Sequence, residues 1–250
     1  MRIAVLITCH NRKEKSLACL KALFHNVLPD GDSLDVFLVD DGSTDGTSEA
    51  VLARYPLVEI IKGDGNLYWG KGMHCAFARA MEIGFDVYLW LNDDTTLYTA
   101  AIDTMVSAWH RTKNQTGKDA IIVGSTQDPD TAQLTYGGVV RHSALKRFSY
   151  TLVKPCSQPI ECHTMNGNCV LVPNSVVLRL GNLEKRFAHA MGDIDYGLRA
   201  GQAGIKVFVA PGCIGTCERN DSQGTFNDRS LSLRARWRKM MQPTGLPPAS

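Results

Sequence analysis

Short apolar strands alternate with helical segments through the first half of the chain, and this alternation constrains the fold more than any other feature. Continuous apolar runs occur at residues 3–8, 35–41, 58–63, 86–93 and 120–125. Between them, residues 12–26 and 73–83 carry apolar side chains near helical spacing, and Gly84 marks the end of the second segment. The alternation predicts an α/β fold with a mostly parallel central sheet covered by helices on both faces.

Polar residues directly follow three of the predicted strands. They are Thr8, Cys9 and His10 after the first, Asp40 and Asp41 after the second, and Asn92, Asp93 and Asp94 after the fourth. Ligands of open parallel sheets bind just outside the carboxyl ends of the strands, so these clusters should meet in one crevice. Adjacent carboxylates at the end of a buried strand need a positive partner. A hard divalent cation that also takes phosphate oxygens would suit them, which predicts a nucleotide site.

Composition is that of an ordinary soluble protein. The 250 residues are 44% hydrophobic and 21% charged, with a formal net charge of +2, which gives no argument for nucleic acid as a partner. No stretch approaches the roughly 18 apolar residues of a membrane span, and the apolar run near the N-terminus is too short for a secretory signal. A cytoplasmic location is therefore expected. The eight cysteines include no CxxC pair, so reduced thiols packed as small hydrophobic groups are expected.

The second half has fewer clean patterns. TYGGVVRHS, HTMNGNCVLVPN and GIKVFVAPG are consistent with short strands or hairpins. Residues 220–250 then change in character, with basic and apolar residues interleaved: Leu231, Leu233, Arg234, Arg236, Trp237, Arg238, Lys239, Met240 and Met241. A basic amphipathic helix of this kind can lie on an anionic membrane surface, or pack on the domain as a solvated helix. The abrupt ending in GLPPAS suggests a truncated chain.

Five motifs in order resemble those of the inverting family 2 glycosyltransferases of the GT-A fold. They are TCHNR, VDDGSTDGT, GNLYWGKGMHCAF, LNDDT and GDIDYGLRAGQAG. The resemblance spans about residues 3–217 and is strongest to the bacterial, rhamnosyltransferase-like branch of O-antigen and capsule assembly. It implies a GT-A domain over 1–219, with a nucleotide-sugar-binding half (1–125), a smaller mixed acceptor-binding half (126–219) and a tail (220–250).

The same resemblance implies an activity. A sugar would pass from a UDP- or dTDP-linked donor to a hydroxyl of a glycan or of a polyprenyl-diphosphate-linked saccharide. Mn²⁺ or Mg²⁺ would serve as cofactor. The expected location is the cytoplasm, with peripheral contact at the cytoplasmic face of the inner membrane.

Roles for individual residues follow from the matched motifs. Nucleotide contacts are implied for Thr8, His10, Arg12, Asp40, Asp41, Asn66, Lys71, Asn92 and Asp93. Asp94 is the implied metal ligand, and Asn92 stands where the family's Asp-x-Asp motif begins with aspartate. Donor-sugar or acceptor contacts are implied for Trp69, Gly167, Asn168 and His189. Cys217 occupies a position where many relatives carry a metal-binding histidine, and a thiolate suits softer metals than magnesium.

An inverting transferase also needs a base for the acceptor hydroxyl and a means of neutralising the departing diphosphate. HAMGDIDYGLR resembles the family's Glu-Asp-x-Asp segment at a helix start, which places the base at Asp193, with Gly192 where the family has glutamate. Asp195 is the nearby alternative. An acidic residue in the first turn also stabilises a helix without any catalytic role.

Two other classes remain open. A sugar-nucleotide nucleotidyltransferase would carry a glycine-rich loop directly after the first strand, and TCHNR is not such a loop. A non-enzymatic α/β module, either receiver-like or a catalytically degenerate GT-A binding module, would account for acids after an early strand. The receiver-like form does not explain the segment around Asp193, and the degenerate form should have lost metal or base residues. Retaining chemistry is also compatible with these residue types.

Overall fold

The apolar runs of the first half form strands of one sheet, and the segments between them form helices. The computed structural model describes residues 1–29, 31–141, 150–220, 223–242 and 244–245. The first half contains β1 (Arg2–Cys9), α1 (Lys13–Phe24), β2 (Ser33–Asp40), α2 (Thr47–Arg54), β3 (Glu59–Lys62), α3 (Tyr68–Ile83), β4 (Val87–Leu91), β5 (Thr96–Leu97), α4 (Ala101–Thr116) and β6 (Ile121–Gln127).

The second half consists mainly of short strands, as its sequence predicts. It contains β7 (Leu134–Tyr136), β8 (Gly138–Arg141), β9 (Tyr150–Leu152), β10 (Ile160–Cys162), β11 (Thr164–Met165), β12 (Cys169–Pro173), α5 (Asn174–Leu180), α6 (Gly192–Gln202), β13 (Val207–Thr216) and α7 (Leu233–Met240). The end of the predicted TYGGVVRHS strand (142–143) and residues 246–250 of the tail lie outside the described residues.

The central sheet has the strand order β10-β13-β6-β12-β4-β1-β2-β3, with β5 added beside β13 and β7 beside β6. Neighbouring strands β4, β1, β2 and β3 are parallel, and β6 is parallel to β13. The two groups are joined by β12, which is antiparallel to both β4 and β6. Every strand of this path except β10 and β12 therefore runs in one direction, which confirms the expected α/β fold.

The reversed strand β12 determines where the second half contributes to the site. Cys169 at the start of β12 pairs with Leu91 at the end of β4, and the backbone N–H of Asn92 donates to the carbonyl oxygen of Asn168 at 2.9 Å. The loop before β12 thus lies beside the loop after β4, at the edge where β1 and β2 also end. A small antiparallel sheet of order β11-β8-β9 flanks this region.

Apolar side chains cover both faces of the central sheet. On one face, α1, α2 and α4 pack through Leu20, Leu23, Val51, Ile102, Met105 and Trp109. On the other, α3, α5 and α6 pack through Met73, Phe77, Val176, Tyr196 and Ala200. Strand β1 is buried from Ile3 to Cys9, so its sequence is a continuous apolar run and not an alternating one.

Two details of the helices differ from the sequence-based expectation. The third helix begins at Tyr68, five residues before the predicted start at Met73, because the carboxylate of Asp41 accepts the N–H groups of Leu67 and Tyr68 and so caps the helix. Gly46 is the N-cap of α2, although the neighbouring Thr44 and Asp45 are of the residue types that more often occupy this position. Asp45 still contributes, since its Oδ1 accepts the N–H of Thr47 at 3.0 Å.

The tail forms the short helix α7, which buries none of its side chains. Leu233, Trp237 and Met241 are 81%, 64% and 49% exposed. Arg236 connects α7 to the preceding segment through a 2.8 Å hydrogen bond from Nε to the carbonyl oxygen of Phe226. No helix in the described part of the chain is long and apolar enough to cross a membrane.

Candidate functional site

A cavity of about 500 Å³ opens at the carboxyl ends of β1, β2 and β4. It is the crevice that the sequence predicts, because polar residues from all three strand ends line it. The predicted site residues on its wall are Thr8, His10, Arg12, Asp41, Trp69, Asn92, Asp93, Asp94 and His189. Asn220 also lines the cavity, held by a 2.9 Å hydrogen bond from its N–H to the hydroxyl of Tyr136. No sequence pattern identified Asn220 as a site residue.

Arg12 supplies the positive charge that the two carboxylates after β4 require. A single guanidinium nitrogen, Nη1, lies 3.2 Å from Oδ1 of Asp93 and 2.9 Å from Oδ2 of Asp94. The carboxylate side chains are only 6% and 11% exposed, whereas the side chain of Arg12 is 42% exposed. The guanidinium thus lies between the cavity and the recess formed by the carboxylates of Asp93 and Asp94.

The backbone before Arg12 is fixed by the loop after β2. Asn11 adopts a left-handed φ of 50°, its N–H donates to Oγ of Ser43 at 2.9 Å, and its Oδ1 accepts the N–H of Thr44 at 2.7 Å. The imidazole Nδ1 of His10 lies 2.6 Å from the carbonyl oxygen of Asp41 and donates to it. These bonds connect the two loops and aim Arg12 at the end of β4.

Asp93 is the more perturbed of the two acids. Burial raises the pKa of Asp93 to about 6, and the charge of Asp94 adds to the rise, against the opposing effect of Arg12. Its second oxygen accepts a 3.3 Å hydrogen bond from Oγ of Ser16 on α1. Arg12 is therefore an essential counter-ion for an ionised Asp93 in this recess.

Asp41 organises the glycine-rich segment at the start of α3. Its carboxylate accepts three backbone N–H groups, from Gly65 at 2.8 Å, Leu67 at 3.0 Å and Tyr68 at 2.9 Å. A carboxylate has about four acceptor positions, so Asp41, which lines the cavity, can still contact a ligand. Thr8 lies close by, against α3, where a Cβ at Gly72 would come 2.3 Å from its hydroxyl oxygen.

Asp40, its neighbour, lies behind the cavity wall. It is 1% exposed and accepts hydrogen bonds from the N–H of Ser43, the hydroxyl of Ser48 and the ammonium of Lys62. Burial alone would raise the pKa of Asp40, but the hydrogen bonds from Ser43 and Ser48 outweigh it and hold the pKa below its usual value. These contacts give Asp40 a structural role, and the predicted nucleotide contact stays a prediction.

Trp69 connects the loop after β4 to the loop before β12. Its Nε1 donates to Oδ1 of Asn92 at 2.8 Å, and its ring packs so closely on Gly167 that a Cβ there would lie 2.4 Å from the ring. The N–H of Gly167 in turn donates to Oδ2 of Asp193 at 2.9 Å. Only glycine at position 167 permits this arrangement.

Asp193 begins α6 with its carboxylate held by the backbone. Oδ1 accepts the N–H of Ile194 at 2.8 Å, opposite the bond from Gly167 to Oδ2. Burial raises the pKa of Asp193, and the two hydrogen bonds oppose the rise without cancelling it. The residue keeps partial solvent exposure, although it lies beside Trp69 and Gly167 and not on the cavity wall.

Asp195, the alternative base, has a different environment. Its Oδ2 accepts a 2.8 Å hydrogen bond from Nε of Arg199, one turn further along α6. Arg199 also donates to the carbonyl oxygens of Leu180 and Asn182. Asp195 is therefore part of an ion pair that fastens α6 to the chain after α5, and it does not line the cavity.

The remaining predicted residues divide between the cavity and its surroundings. His189 lines the cavity, and the surrounding protein together with the charge of Arg12 lowers its pKa. Asn66 and Lys71 are exposed and do not line it. Asn168 is buried, with its Nδ2 donating to the sulfur of Cys217. Burial raises the pKa of Cys217 to about 12, and Asp94 adds to this rise. Its sulfur is a soft ligand, which a hard cation such as Mg²⁺ does not prefer.

Backbone strain is concentrated around the cavity. Four non-glycine residues within the described ranges have a left-handed φ, and three of them belong to this region: Asn11, Tyr68 and Met191, at 50°, 54° and 73°. Each such residue costs on the order of 1 kcal/mol or more. Surrounding contacts must impose these conformations, which is typical of positions where side-chain placement matters for a site.

The recess at Asp93 and Asp94 fits a cation that is shared with a ligand. The position of Arg12 Nη1 shows that a positive group within about 3 Å of both carboxylates is accommodated there. Within the described residues, no group of three or more histidine, cysteine, aspartate or glutamate side chains could hold a metal ion. A divalent cation would therefore be held by Asp94 and Asp93 together with oxygens from a phosphate-bearing ligand and water.

The order and direction of the strands, with helices on both faces, are those of the GT-A fold, and solved structures share this fold. The S. aureus TarS 1-349 structure in complex with UDP matches with a TM-score of 0.64 at 11% identity, over 96% of this chain and 63% of that one. The mannosyltransferase PcManGT from Pyrobaculum calidifontis, in complex with GDP-Man and Mn²⁺, matches with a TM-score of 0.60 at 16% identity, over 89% and 58%.

The chain belongs to glycosyl transferase family 2, whose model matches residues 4–170. It is 28% identical over 204 residues to the N-acetylglucosaminyl-diphospho-decaprenol L-rhamnosyltransferase of Mycobacterium tuberculosis. That alignment covers 70% of this chain and 64% of the relative, so the chain spans a little under two thirds of the relative's length. The family expected from the motifs is confirmed.

Proposed function

We propose that the protein is an inverting glycosyltransferase that moves a sugar from a UDP- or dTDP-linked donor to a hydroxyl of a polyprenyl-diphosphate-linked saccharide. One observation carries this proposal: acids and polar residues from three strand ends meet in one cavity within the family-matched segment, beside an acid pair neutralised by Arg12. Complexes of fold relatives with UDP and with GDP-Man and Mn²⁺ support a nucleotide-sugar donor.

The donor would lie with its nucleoside against the ends of β1 and β2. Thr8, His10 and Asp41 line this part of the cavity, and the one remaining acceptor position of Asp41 suits the N–H of a uracil or thymine base. The diphosphate would then face Arg12, Asp93 and Asp94. Mn²⁺ or Mg²⁺ bound there supplies a Lewis acid that neutralises the leaving diphosphate.

Asp193 is the proposed base for the acceptor hydroxyl. Two backbone N–H groups fix its carboxylate at 2.8 and 2.9 Å, and its raised pKa makes it a better proton acceptor than an ordinary aspartate. Its pairing with Arg199 makes Asp195 a weaker candidate. The family match ends at residue 170, so the assignment of Asp193 rests on this geometry and on the GDIDYGLR motif.

The acceptor class is proposed from the mycobacterial relative, whose name specifies a lipid-diphosphate-linked N-acetylglucosamine. The exposed helix α7 is consistent with such an acceptor. Leu233, Trp237 and Met241 follow one another at helical spacing and are exposed, while Arg234 and Arg238 lie next to them. We propose that this helix rests on an anionic membrane surface, which gives the protein a peripheral location there.

A thermal-shift panel tests the donor assignment first. UDP, dTDP, GDP and CMP are each added with and without Mn²⁺, and the melting temperature is recorded. UDP or dTDP should raise it by several degrees only when Mn²⁺ is present, because binding to the native state alone stabilises it. Transfer is then measured by mass spectrometry with the matching donor and a synthetic polyprenyl-diphosphate saccharide. Nucleotide binding without transfer to any such acceptor would favour the degenerate GT-A module.

Co-sedimentation tests the membrane contact. Vesicles containing about one third phosphatidylglycerol should pull down the protein, and neutral vesicles should not, because cationic residues near a surface each contribute about 1 kcal/mol only when the lipid is anionic. The variant Trp237→Ala/Arg238→Gln should lose most of this binding while its melting temperature stays unchanged. Equal binding by the parent and the variant would contradict the proposed role of α7.

A further inference from the structure

Four backbone N–H groups at the start of α3 are already bonded within the protein. A helix N-terminus offers N–H groups to anions, but here the N–H groups of Leu67 and Tyr68 donate to Asp41. Those of Gly70 and Lys71 donate to one carbonyl oxygen, that of Ala188, at 2.7 and 3.3 Å. The glycine-rich segment of the GNLYWGKGMHCAF motif therefore already uses these amides in bonds within the protein.

Positive charge for the diphosphate must then come from a side chain or a cation. Among the described residues that line the cavity, Arg12 is the only lysine or arginine. Its guanidinium already bridges Asp93 and Asp94 through Nη1, yet its side chain is 42% exposed and so reaches the cavity. Arg12 therefore pairs with the two buried carboxylates in the nucleotide-free protein, and it would also be the side-chain cation available to the diphosphate when the donor binds.

We propose that Arg12 is a displaceable internal cation: it neutralises Asp93 and Asp94 while the site is free of nucleotide, and it moves onto the diphosphate oxygens when the donor and a divalent cation enter. This inference rests on the proposed function, because it takes the ligand to be a nucleoside diphosphate. In this exchange a 2+ cation takes the place of the 1+ guanidinium beside Asp94, and the guanidinium gains the diphosphate as a new anionic partner.

The exchange has a measurable thermodynamic consequence. A divalent cation alone must displace the guanidinium nitrogen that bridges Asp93 and Asp94 and leave Arg12 without an anion, so it should bind weakly. A diphosphate gives Arg12 a new partner, so each ligand should strengthen the binding of the other by the same factor. The structure therefore predicts positive coupling between metal and nucleotide that depends on Arg12.

Electron paramagnetic resonance of free Mn²⁺ measures this coupling without any transfer assay. Mn²⁺ is titrated into the full chain at about pH 8, well above the ordinary aspartate pKa of about 3.9. Arg12→Gln should bind Mn²⁺ alone at least about tenfold more tightly than the parent protein, and Arg12→Lys, which keeps a charge, should stay near the parent. Adding Asp94→Asn to Arg12→Gln should abolish the gain.

Lys15→Gln is the matched control. It removes the same charge three positions further along the chain, within α1, but Lys15 is bonded to Glu218 at 3.3 Å and not to the acid pair. Its Mn²⁺ affinity should change by less than about twofold, as expected for an exposed charge screened by salt. Repeating the titrations with saturating UDP or dTDP should tighten Mn²⁺ binding in the parent protein and much less in Arg12→Gln.

Two results would overturn the inference. In one, Arg12→Gln binds Mn²⁺ no more tightly than the parent, which would show that the guanidinium does not compete with the cation. In the other, UDP or dTDP binds the parent equally well with and without a chelator but fails to bind Arg12→Gln, which would make Arg12 a permanent substitute for the metal. Absence of nucleotide binding by the parent under all conditions would instead refute the proposed function, while the Mn²⁺ titrations still test competition at Asp94.

Discussion

The indole Nε1 of Trp69 donates a 2.8 Å hydrogen bond to Oδ1 of Asn92, and this bond ties the first turn of α3 to the end of β4. Asn92 stands where the family motif begins with aspartate. A neutral amide at this position accepts the indole N–H without adding a third negative charge beside Asp93 and Asp94. The departure from the motif is thus compatible with a recess that holds one guanidinium against two carboxylates.

Replacing Trp69 with phenylalanine should weaken this connection. The smaller phenyl ring lacks the Cζ2 and Cη2 atoms that lie beside Gly167, and Oδ1 of Asn92 would lose its donor, so the free energy of unfolding should fall by about 1 kcal/mol or more. Urea denaturation measures the change. Trp237→Phe is the control, because Trp237 is 64% exposed, and it should leave stability unchanged. Equal effects of the two substitutions would show that the bond to Asn92 contributes nothing.

Asp94→Asn should abolish the metal-dependent part of nucleotide binding. The amide keeps the shape of the side chain but removes the charged oxygens that a hard cation prefers. The stabilisation by UDP or dTDP that requires Mn²⁺ should disappear in a thermal-shift assay. Asp103→Asn, at an exposed aspartate in the first turn of α4, should retain it. Persistence of the Mn²⁺ effect in Asp94→Asn would remove Asp94 from the metal site.

Asp193→Asn should bind the donor normally and lose transfer. Removing a general base typically lowers kcat by about 10²- to 10⁴-fold, and single-turnover assays with saturating donor measure the loss directly. Asp195→Asn breaks the ion pair with Arg199 and should lower stability by about 1 kcal/mol or less while kcat changes by less than about tenfold. The opposite ranking of the two variants would assign the base to Asp195.

Gly167→Ala should destabilise the protein through a clash with the indole. A Cβ at this position would lie 2.4 Å from the ring of Trp69, and overpacking of this kind costs about 1–3 kcal/mol. Gly201→Ala is the matched substitution, because a Cβ at Gly201 in α6 meets nothing within 4 Å and alanine favours a helix by up to about 1 kcal/mol. Chemical denaturation should therefore show shifts of opposite sign for the two alanine variants.

Asp40→Asn should lower stability in a pH-dependent manner. Because the pKa of Asp40 is lowered in the folded protein, its charge stabilises the fold above the ordinary aspartate pKa of about 3.9, and this stabilisation is lost as the pH falls through the folded-state value. The difference in unfolding free energy between Asp40→Asn and the parent should thus be about 1.5–3 kcal/mol at pH 7 and should shrink near pH 3. A difference independent of pH would rule out the charged form as its source.

Much of this architecture follows from local sequence patterns. The strands β1, β2 and β4 are visible as apolar runs because both faces of each are buried, and the rule that ligands bind at the carboxyl ends of parallel strands brings Thr8, Asp41 and Asp94 together. The resemblance to family motifs implied the other residues of the expected site. Within it, Arg12 was expected to contact nucleotide, and only the coordinates reveal its contacts with Asp93 and Asp94.

Other features depend on contacts between distant parts of the chain and leave no local pattern. The early start of α3 at Tyr68 requires the carboxylate of Asp41, some 27 residues earlier. The position of Asn220 in the cavity depends on the hydroxyl of Tyr136, 84 residues away. Similarly, the different environments of Asp40 and Asp41 cannot be predicted from their adjacent positions in the sequence. They arise because Asp40 bonds with Ser43, Ser48 and Lys62 behind the cavity wall, whereas Asp41 lines the cavity.

The capping of α3 by Asp41 has a consequence for donor discrimination. The carboxylate that can meet the nucleobase also fixes the N–H of Tyr68, and the next residue, Trp69, packs against Gly167, which positions Asp193. Under the proposed function, recognition of the base and placement of the proton acceptor would therefore be connected through one series of contacts. A mismatched nucleotide that disturbs Asp41 should slow the chemical step itself, so selectivity among donors would be expressed in kcat as well as in KM.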